Sequence, residues 1–337
     1  MEKNKTLISI LNYNGSKDTI ACLKSFYQYE AKENYCVVVW DNNSQETEKL
    51  ILLEEILKLP VKNKVCTAEE YQHLNLTNLN LVIVLSKVNL GFAIANNEVI
   101  KNRLKDFSNI VLLNNDTEFD NATTSKLVKY LEQDSNVGVI TTAIYYYYDK
   151  QRIWNAGGKI FLGTRRYYTE KYVNKALEKG ITEKEVDYIT GCFFVVRSSI
   201  LKQCGILTEK FFFGEEDYEF CQRMKKKNVK LKVLFNEKIY HKVGATINKN
   251  ILLEDSIRRA FIHHLNRFID MKNFYGKTKW SIWCFFSCIY IYILMFKVTR
   301  GNLKKVKEYI SLLNFYARKR DCVDQEFFIK TLSGGII

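Results

Sequence analysis

The sequence of 337 residues predicts an α/β protein. It should contain a parallel sheet covered on both faces, a mixed and less regular middle, and a helical C-terminal extension. Three observations predict this. Short β-rich apolar runs alternate with runs of helical period over the first 120 residues. Each of these apolar runs ends in a polar tip. Residues 280–296, "WSIWCFFSCIYIYILMF", carry no charge and open a tail of different character.

The elements follow in order. "TLISIL" (6–11) reads as a first strand; it is too short for a secretory signal. "SKDTIACLKSFYQY" reads as a helix capped by Ser16, with Ile20, Leu23 and Tyr27 on one face. "CVVVW" (36–40) is a second buried strand, and "QETEKLILLEEILKL" a helix ended by Pro60, the only proline. "LVIVL" (81–85) and "NIVLL" (109–113) are strands flanking the helix "AIANNEVIKNRL". This alternation implies parallel strands, so their carboxyl ends share one edge. That edge gathers Asn12-Tyr13-Asn14, Asp41-Asn42-Asn43, Lys87-Val88-Asn89 and Asn114-Asn115-Asp116. It is the edge where open α/β sheets bind ligands.

Residues 137–148, 186–197 and 229–246 read as further strands, with glycines 157, 158, 163, 180 and 191 marking turns. The aromatic stretch 280–296 is flanked by Lys277, Lys279, Lys297 and Arg300. It stands at the lower length limit for crossing a bilayer, and its aromatics favour an interfacial position. Residues 302–316 place Leu303, Val306, Ile310 and Leu313 on one face and lysines elsewhere, as in a surface-bound amphipathic helix. A buried hairpin with a solvated lysine face is the alternative.

Net charge is +14, and residues 251–337 hold 15 Lys and Arg against 7 Asp and Glu. The excess favours anionic partners. It lies in the tail, while the strand tips are neutral or acidic, so a nucleic-acid partner is not expected. Nine scattered cysteines without a CxxC pair read as reduced thiols.

No GxGxxG follows the first strand and no GxxxxGK[ST] occurs, so a nucleotide diphosphate would need a carboxylate-bound metal. Asp116 is placed for that, although "NND" also suits a turn. His241 ends a strand and is the other candidate ligand. In "FFFGEEDYEFCQR" (211–223), Asp217 precedes Phe220, Cys221 and Met224 by three, four and seven residues, and so shares their apolar stripe. Burial of a lone carboxylate is costly, so Asp217 must face a cleft or a partner. Glu219 and Arg223 suit an exposed ion pair. Glu215 and Glu216 suit a helix start.

These residues resemble the family 2 glycosyltransferases, especially the rhamnosyltransferase-like branch. The resemblance spans about 5–275, through "ISILNYNG", "VVVWDNNS", "NLGFAIANN", "LLNND", "TGCFFVVR", "FFFGEEDYEFCQR" and "HKVGAT". It implies a GT-A fold: a Rossmann-like nucleotide-binding sheet (1–118), an acceptor-binding and catalytic half (119–250), and a membrane-associating helical extension (251–337). It implies donor contacts from Asn12, Tyr13, Asn14, Asp41, Asn42, Asn89, Gly91, Asn97, Asn114 and Asn115, with Tyr13 and Asp41 at the base. Asp116 and His241 would hold Mg2+ or Mn2+. Asp217 would be the catalytic base, with Glu216 beside it.

The sequence departs from the family pattern at Asn115, where proline is usual, at Thr208, where Asp commonly stands, and at Leu265, where arginine is frequent. The implied activity is inverting transfer from a nucleoside-diphosphate sugar to a saccharide acceptor, expected to be polyprenyl-diphosphate-linked. The implied place is the cytoplasmic face of the inner membrane, held peripherally, in surface polysaccharide synthesis. A nucleotidyltransferase acting on a sugar phosphate and a non-catalytic anion-binding protein are the rival readings.

Overall fold

Seven consecutive buried residues form β2 (Tyr35–Asp41) and six of seven are buried in β1 (Thr6–Asn12). Such runs belong to strands covered on both faces. The computed structural model describes residues 6–243 and 253–337. It divides into two units: Met1–Leu207 with Asp217–Thr246, and Thr208–Glu216 with Ile247–Ile337.

The first unit begins with β1, α1 (Ser16–Tyr29), β2, α2 (Glu46–Leu57), β3 (Asn63–Thr67), α3 (Ala68–His73), β4 (Leu81–Leu85), α4 (Gly91–Ile100) and β5 (Asn109–Asn114). It continues with β6 (Thr117–Glu118), α5 (Thr123–Gln133), β7 (Val137–Tyr146), β8 (Ile153–Asn155), β9 (Gly158–Phe161) and β10 (Thr164–Tyr167). Then follow α6 (Glu170–Glu178), β11 (Glu183–Val186), β12 (Phe193–Arg197), α7 (Ser198–Cys204), α8 (Glu216–Lys226) and β13 (Lys230–His241).

The main sheet runs β11-β13-β7-β12-β5-β1-β2-β4-β3. From β5 to β3 every pairing is parallel, as expected. Its register aligns the tips: Asn12 is opposite Asp41, Asp41 opposite Leu85, and Leu11 opposite Asn114. The chain leaves β1 toward β2 and returns on the other side at β5. The crevice between these strands' carboxyl ends is therefore a topological switch point. Ile8 and Ile10 join Leu23 and Phe26 of α1 in the core on one face. On the other face, Ser9 donates to Asn96 of α4 at 2.7 Å.

Several elements differ from expectation. Ser16 is the first residue of α1, not its cap; its N–H and hydroxyl both donate to Glu48 of α2. The edge strand β3 has one buried residue in five and therefore carries no apolar run to announce it. Residues 186–197 do not form one strand, because Asp187–Cys192 separates β11 from β12. The last predicted strand ends at His241, and Gly244 to Thr246 of "HKVGAT" lie outside the described residues. None of the nine cysteines forms a disulfide.

The second unit contains α9 (Leu253–Phe274), α10 (Lys277–Val298), α11 (Leu303–Lys319) and α12 (Gln325–Leu332). Phe261 and Leu265 of α9, and Tyr309 and Leu313 of α11, are fully buried, with the Phe261 and Tyr309 rings edge-to-face at 5.3 Å. The apolar face of α11 (Val306, Tyr309, Leu313, Ala317) is thus a core face, not the outward one that its amphipathicity suggested. Segment 208–216 is held here as well. Phe212 N–H donates to Val323 O, Val323 N–H to Lys210 O, and Asn266 Nδ2 to the carbonyls of Phe213 and Gly214. Leu265, where the family often has arginine, has no exposed surface at all.

Candidate functional site

The tips of β1, β2, β4 and β5 are joined by their own polar side chains. Asn115 Nδ2 donates to Thr19 Oγ1 (2.9 Å), and Thr19 Oγ1 to Asn12 Oδ1 (2.8 Å). Asn12 Nδ2 then donates to Asp41 Oδ1 (2.7 Å) and Ser44 Oγ (3.1 Å). Ser44 N–H closes onto Asp41 Oδ2 at 3.1 Å. A second branch links Asn42 Nδ2 to Asn89 Oδ1 (2.8 Å) and to the Gly91 carbonyl (3.0 Å), while Gly91 N–H donates to Asn89 Oδ1 (2.9 Å). Gly91 starts α4 at φ 75°, a conformation that favours glycine, and Asn14 (φ 51°) and Asn43 (φ 65°) share the left-handed region.

This network sorts the candidate donor residues. Asn12, Asp41 and Asn42 are buried, Asn12 and Asp41 bonded to each other and Asn42 to Asn89 and the backbone of Leu90 and Gly91. Tyr13 stands out at 49% exposure, and Asn14, Asn89, Asn114 and Asn115 are partly exposed. Asn97, which the resemblance implies along the donor, lies on α4. It is buried, and its carboxamide exchanges two hydrogen bonds with the backbone of Leu207 (2.9 and 3.1 Å). At the position where proline is usual, Asn115 ties the β5 tip to α1.

Asp116 and His241 meet because β6 pairs antiparallel with the end of β13, placing His241 opposite Thr117. His241 Nε2 lies 2.9 Å from Asp116 Oδ1, and the Trp154 ring packs against the imidazole at 4.4 Å. Lys242 N–H donates to the Asp116 carbonyl, and its ammonium pairs with Asp18 and Glu118. Partial burial opposes the charge of Lys242, but the hydrogen bonds to these two acids outweigh it and raise its pKa.

The pair fits a divalent cation. Two neighbouring ligand atoms, each about 2.1 Å from an octahedral ion, stand about 3 Å apart. Among the described residues no group of three or more His, Cys, Asp or Glu side chains is suited to a metal. The pair would supply two protein ligands, which suits an ion shared with a phosphorylated substrate. Among the described residues His241 Nδ1 is buried without a hydrogen-bond partner, so the ring is held by Trp154 packing rather than by a second hydrogen bond.

Asp217, in the first turn of α8, faces inward as its spacing with the buried Phe220, Cys221 and Met224 predicts. Oδ2 accepts from Tyr188 Oη (2.7 Å) and Gly191 N–H (3.2 Å), and Oδ1 lies 3.6 Å from Arg165 on β10. Arg165 also covers the Tyr188 ring (4.7 Å) and the Tyr218 ring (5.2 Å). Burial, and then the Asp217 charge, push the Tyr188 phenol well above its ordinary pKa, so it remains a donor. Gly191 lies against both Asp217 and α4. A Cβ there would stand 3.6 Å from both Asp217 Cβ and the Phe92 ring at the start of α4. The next residue, Cys192, accepts from Asn114 N–H at 2.8 Å. Asp217 is thus tied through Gly191 to the start of β12, the strand paired with β5, whose tip leads into Asp116.

The other acids of "GEEDYE" (214–219) differ from expectation. Glu219 pairs with Arg223 as predicted, at 2.7 Å, but the pair is largely buried, and Arg223 also donates to the carbonyls of Cys204, Gly205 and Ile206. Glu215 and Glu216 are buried rather than solvated at a helix start. In the second unit Glu215, at φ 83°, forms an ion pair with Arg267.

The sequence reading missed Ser44, Tyr188, Gly191 and Arg165. Ser44 had a local signal, an acid followed three residues later by serine. Arg165 had none, since a separate two-stranded hairpin delivers it. A cavity of about 590 Å³ opens at the opposite ends of β5 and β12, lined by Lys105, Phe107, Asn109, Arg197 and Lys202 among others. It contains none of the residues above.

The family model described as Glycosyl transferase family 2 matches residues 8–205. No curated protein matches the sequence. Among solved structures, the chain is similar to a crystal structure of GalNAc-T7 with UDP, GalNAc and Mn2+, with a TM-score of 0.60 and 13% identity over 97% of this chain and 56% of that one. The chain therefore spans little more than half of that protein's length. It is also similar to the mannosyltransferase PcManGT from Pyrobaculum calidifontis in complex with GDP-Man and Mn2+, with a TM-score of 0.53 and 13% identity over 95% of this chain and 87% of that one. At such identity the likeness is one of fold, and the fold is the GT-A arrangement around a central sheet.

Proposed function

Since the chain belongs to glycosyl transferase family 2, we propose that it is an inverting, metal-dependent transferase acting on a nucleoside-diphosphate sugar and a saccharide hydroxyl. One observation carries the reading: Asp217 on α8 is fixed by Tyr188 and by the Gly191 N–H just before β12, and Asp116, which meets His241 at 2.9 Å, follows β5, the strand that pairs with β12 beside the switch-point crevice. The similar structures hold a nucleotide or nucleotide sugar with Mn2+, which supports a donor of that class here.

In this reading Tyr13 stacks on the donor's base, and Asn14, Asn89, Asn114 and Asn115 line its path. Asn12, Asp41, Asn42 and Asn97 act through the frame that they hold. Asp116 and His241 would carry Mg2+ or Mn2+, which when bound offsets charge on the diphosphate. Asp217 receives the proton of the acceptor hydroxyl. The freed oxygen bonds to the anomeric carbon as that carbon's bond to the diphosphate oxygen breaks, with one inversion. Tyr188 and the Gly191 N–H occupy Oδ2, which leaves Oδ1 to take the proton.

The finer assignments are proposals of the same kind. They are a rhamnose-type donor, a polyprenyl-diphosphate-linked acceptor, surface polysaccharide synthesis, and a peripheral place on the inner membrane's cytoplasmic face. So is the division of labour among 1–118, 119–250 and 251–337. The test is a panel of nucleotide sugars, assayed for metal-dependent binding and for release of nucleoside diphosphate. Asp217→Asn should bind donor normally and lose transfer. Full transfer by that variant, or pyrophosphate as product, overturns the reading.

A further inference from the structure

We propose that α10 lies in the plane of an anionic lipid surface, its outward face sunk among the lipids and both of its ends on the water side. The geometry is that of a helix used on one side only. Trp280, Cys284, Ile291 and Met295 are buried, and at about 100° per residue they fall within about 60° of arc. This stripe packs on α9 and α11: Trp280 Nε1 donates to Phe268 O at 2.9 Å, and Cys288 meets Asn314. Ile282, Phe285, Phe286, Ile289, Tyr290 and Ile293 are exposed, Phe285 at 62% and Tyr290 at 68%. By the same rotation they span about 140°, centred opposite the stripe. Within the second unit no described residue covers them.

Length alone would allow α10 to cross a bilayer, since a helix of 22 residues with an apolar middle suffices. Its neighbours forbid it. The helices packed along the stripe carry exposed Lys304, Lys307, Arg318 and Lys319 on α11, and a crossing would draw them into hydrocarbon. Basic residues also flank both ends, Lys277 and Lys279 before and Lys297 and Arg300 after. A crossing helix shows that bias at one end. An in-plane helix with aromatics on its apolar face and lysines at its margins meets both conditions.

Charge selects lipid over a second copy of the chain. No Asp or Glu occurs between Asp270 and Glu308. Two such faces brought together would oppose lysines with lysines and supply no counter-charge, whereas anionic headgroups supply it. The inference is independent of the catalytic reading, and Asp217→Asn should bind lipid as the native chain does.

The test is flotation of the full chain with vesicles of equal parts phosphatidylcholine and phosphatidylglycerol, and with phosphatidylcholine alone. The native chain should float with the mixed vesicles and at least tenfold less with phosphatidylcholine. Phe285→Asp combined with Ile289→Asp should abolish flotation while leaving donor hydrolysis and the melting temperature unchanged. Trypsin added outside sealed vesicles should cleave the bound chain both after Lys277 or Lys279 and after Lys297 or Arg300. Failure to float, undiminished flotation of the double variant, or protection of one end overturns the proposal. So does a dimer in light scattering that the double variant converts to a monomer without any lipid binding.

Discussion

Removing one oxygen atom tests whether Asp217 is a held base or a passive neighbour. Tyr188→Phe deletes the hydroxyl that donates to Asp217 Oδ2 at 2.7 Å. The ring itself is buried, edge-to-face with Tyr167 at 5.7 Å and under Arg165 at 4.7 Å, and phenylalanine keeps those contacts. A hydrogen bond to a charged acceptor contributes about 1.5–3 kcal/mol. The Asp217 side chain retains 17% exposure, so water can replace part of the loss, and the low end applies. About 1.5 kcal/mol corresponds to roughly a tenfold fall in kcat. The donor KM should stay within about twofold, because Tyr188 touches no tip residue. By comparison, Asp217→Asn should cost about 100- to 10,000-fold. The assay is steady-state release of nucleoside diphosphate, read beside a urea melt. The phenol's raised pKa also has a sign: its stabilising proton is fully present below the ordinary tyrosine range and is lost as pH rises beyond it. No limb of the pH–rate profile below about pH 10 should therefore vanish in Tyr188→Phe. An unchanged kcat accompanied by lost stability would refute the held-base argument and leave Tyr188 as packing alone.

Three further perturbations address the other parts. Burial, then the charges of His263 and Arg267, lower the His264 pKa from 6.5 to about 4. Its contribution is thus intact above pH 6.5 and lost as pH falls toward 4, amounting to ~3 kcal/mol at most. Urea midpoints at neutral and acid pH should converge in His264→Gln relative to the native chain. Arg267→Met removes the partner of Glu215, whose side chain is 3% exposed, and should cost about 3–5 kcal/mol. Adding Glu215→Gln should recover much of the lost melting temperature. Asp116→Ala should leave the fold intact by circular dichroism, abolish metal-dependent donor binding, and resist rescue by Mn2+ or Mg2+. Chelation of the native chain should give the same loss reversibly.

What the sequence revealed follows from which physical signals are local. Strands covered on both faces leave continuous apolar runs, so β1, β2, β4 and β5 were legible, and their polar ends located the crevice. The edge strand β3 buries one side chain and leaves no run. The β9–β10 hairpin is fixed by glycine geometry and by contacts made elsewhere, and with it Arg165 was hidden. Spacing gave the direction of Asp217, because positions three, four and seven apart share a helix face. It could not give Tyr188 or Gly191, which lie 29 and 26 residues away. Glu215 shows the limit most sharply. Beside a helix start it reads as an acid for the helix dipole, yet it is buried and paired 52 residues away with Arg267. The tail repeats the lesson. The amphipathic pattern of α11 showed that one face is covered but not by what, and the cover is α9 and α10. By occupying one stripe of α10, α9 and α11 leave its opposite face to be buried by something else. An apolar period therefore identifies a face that must be buried, and only the neighbours decide whether protein or lipid buries it.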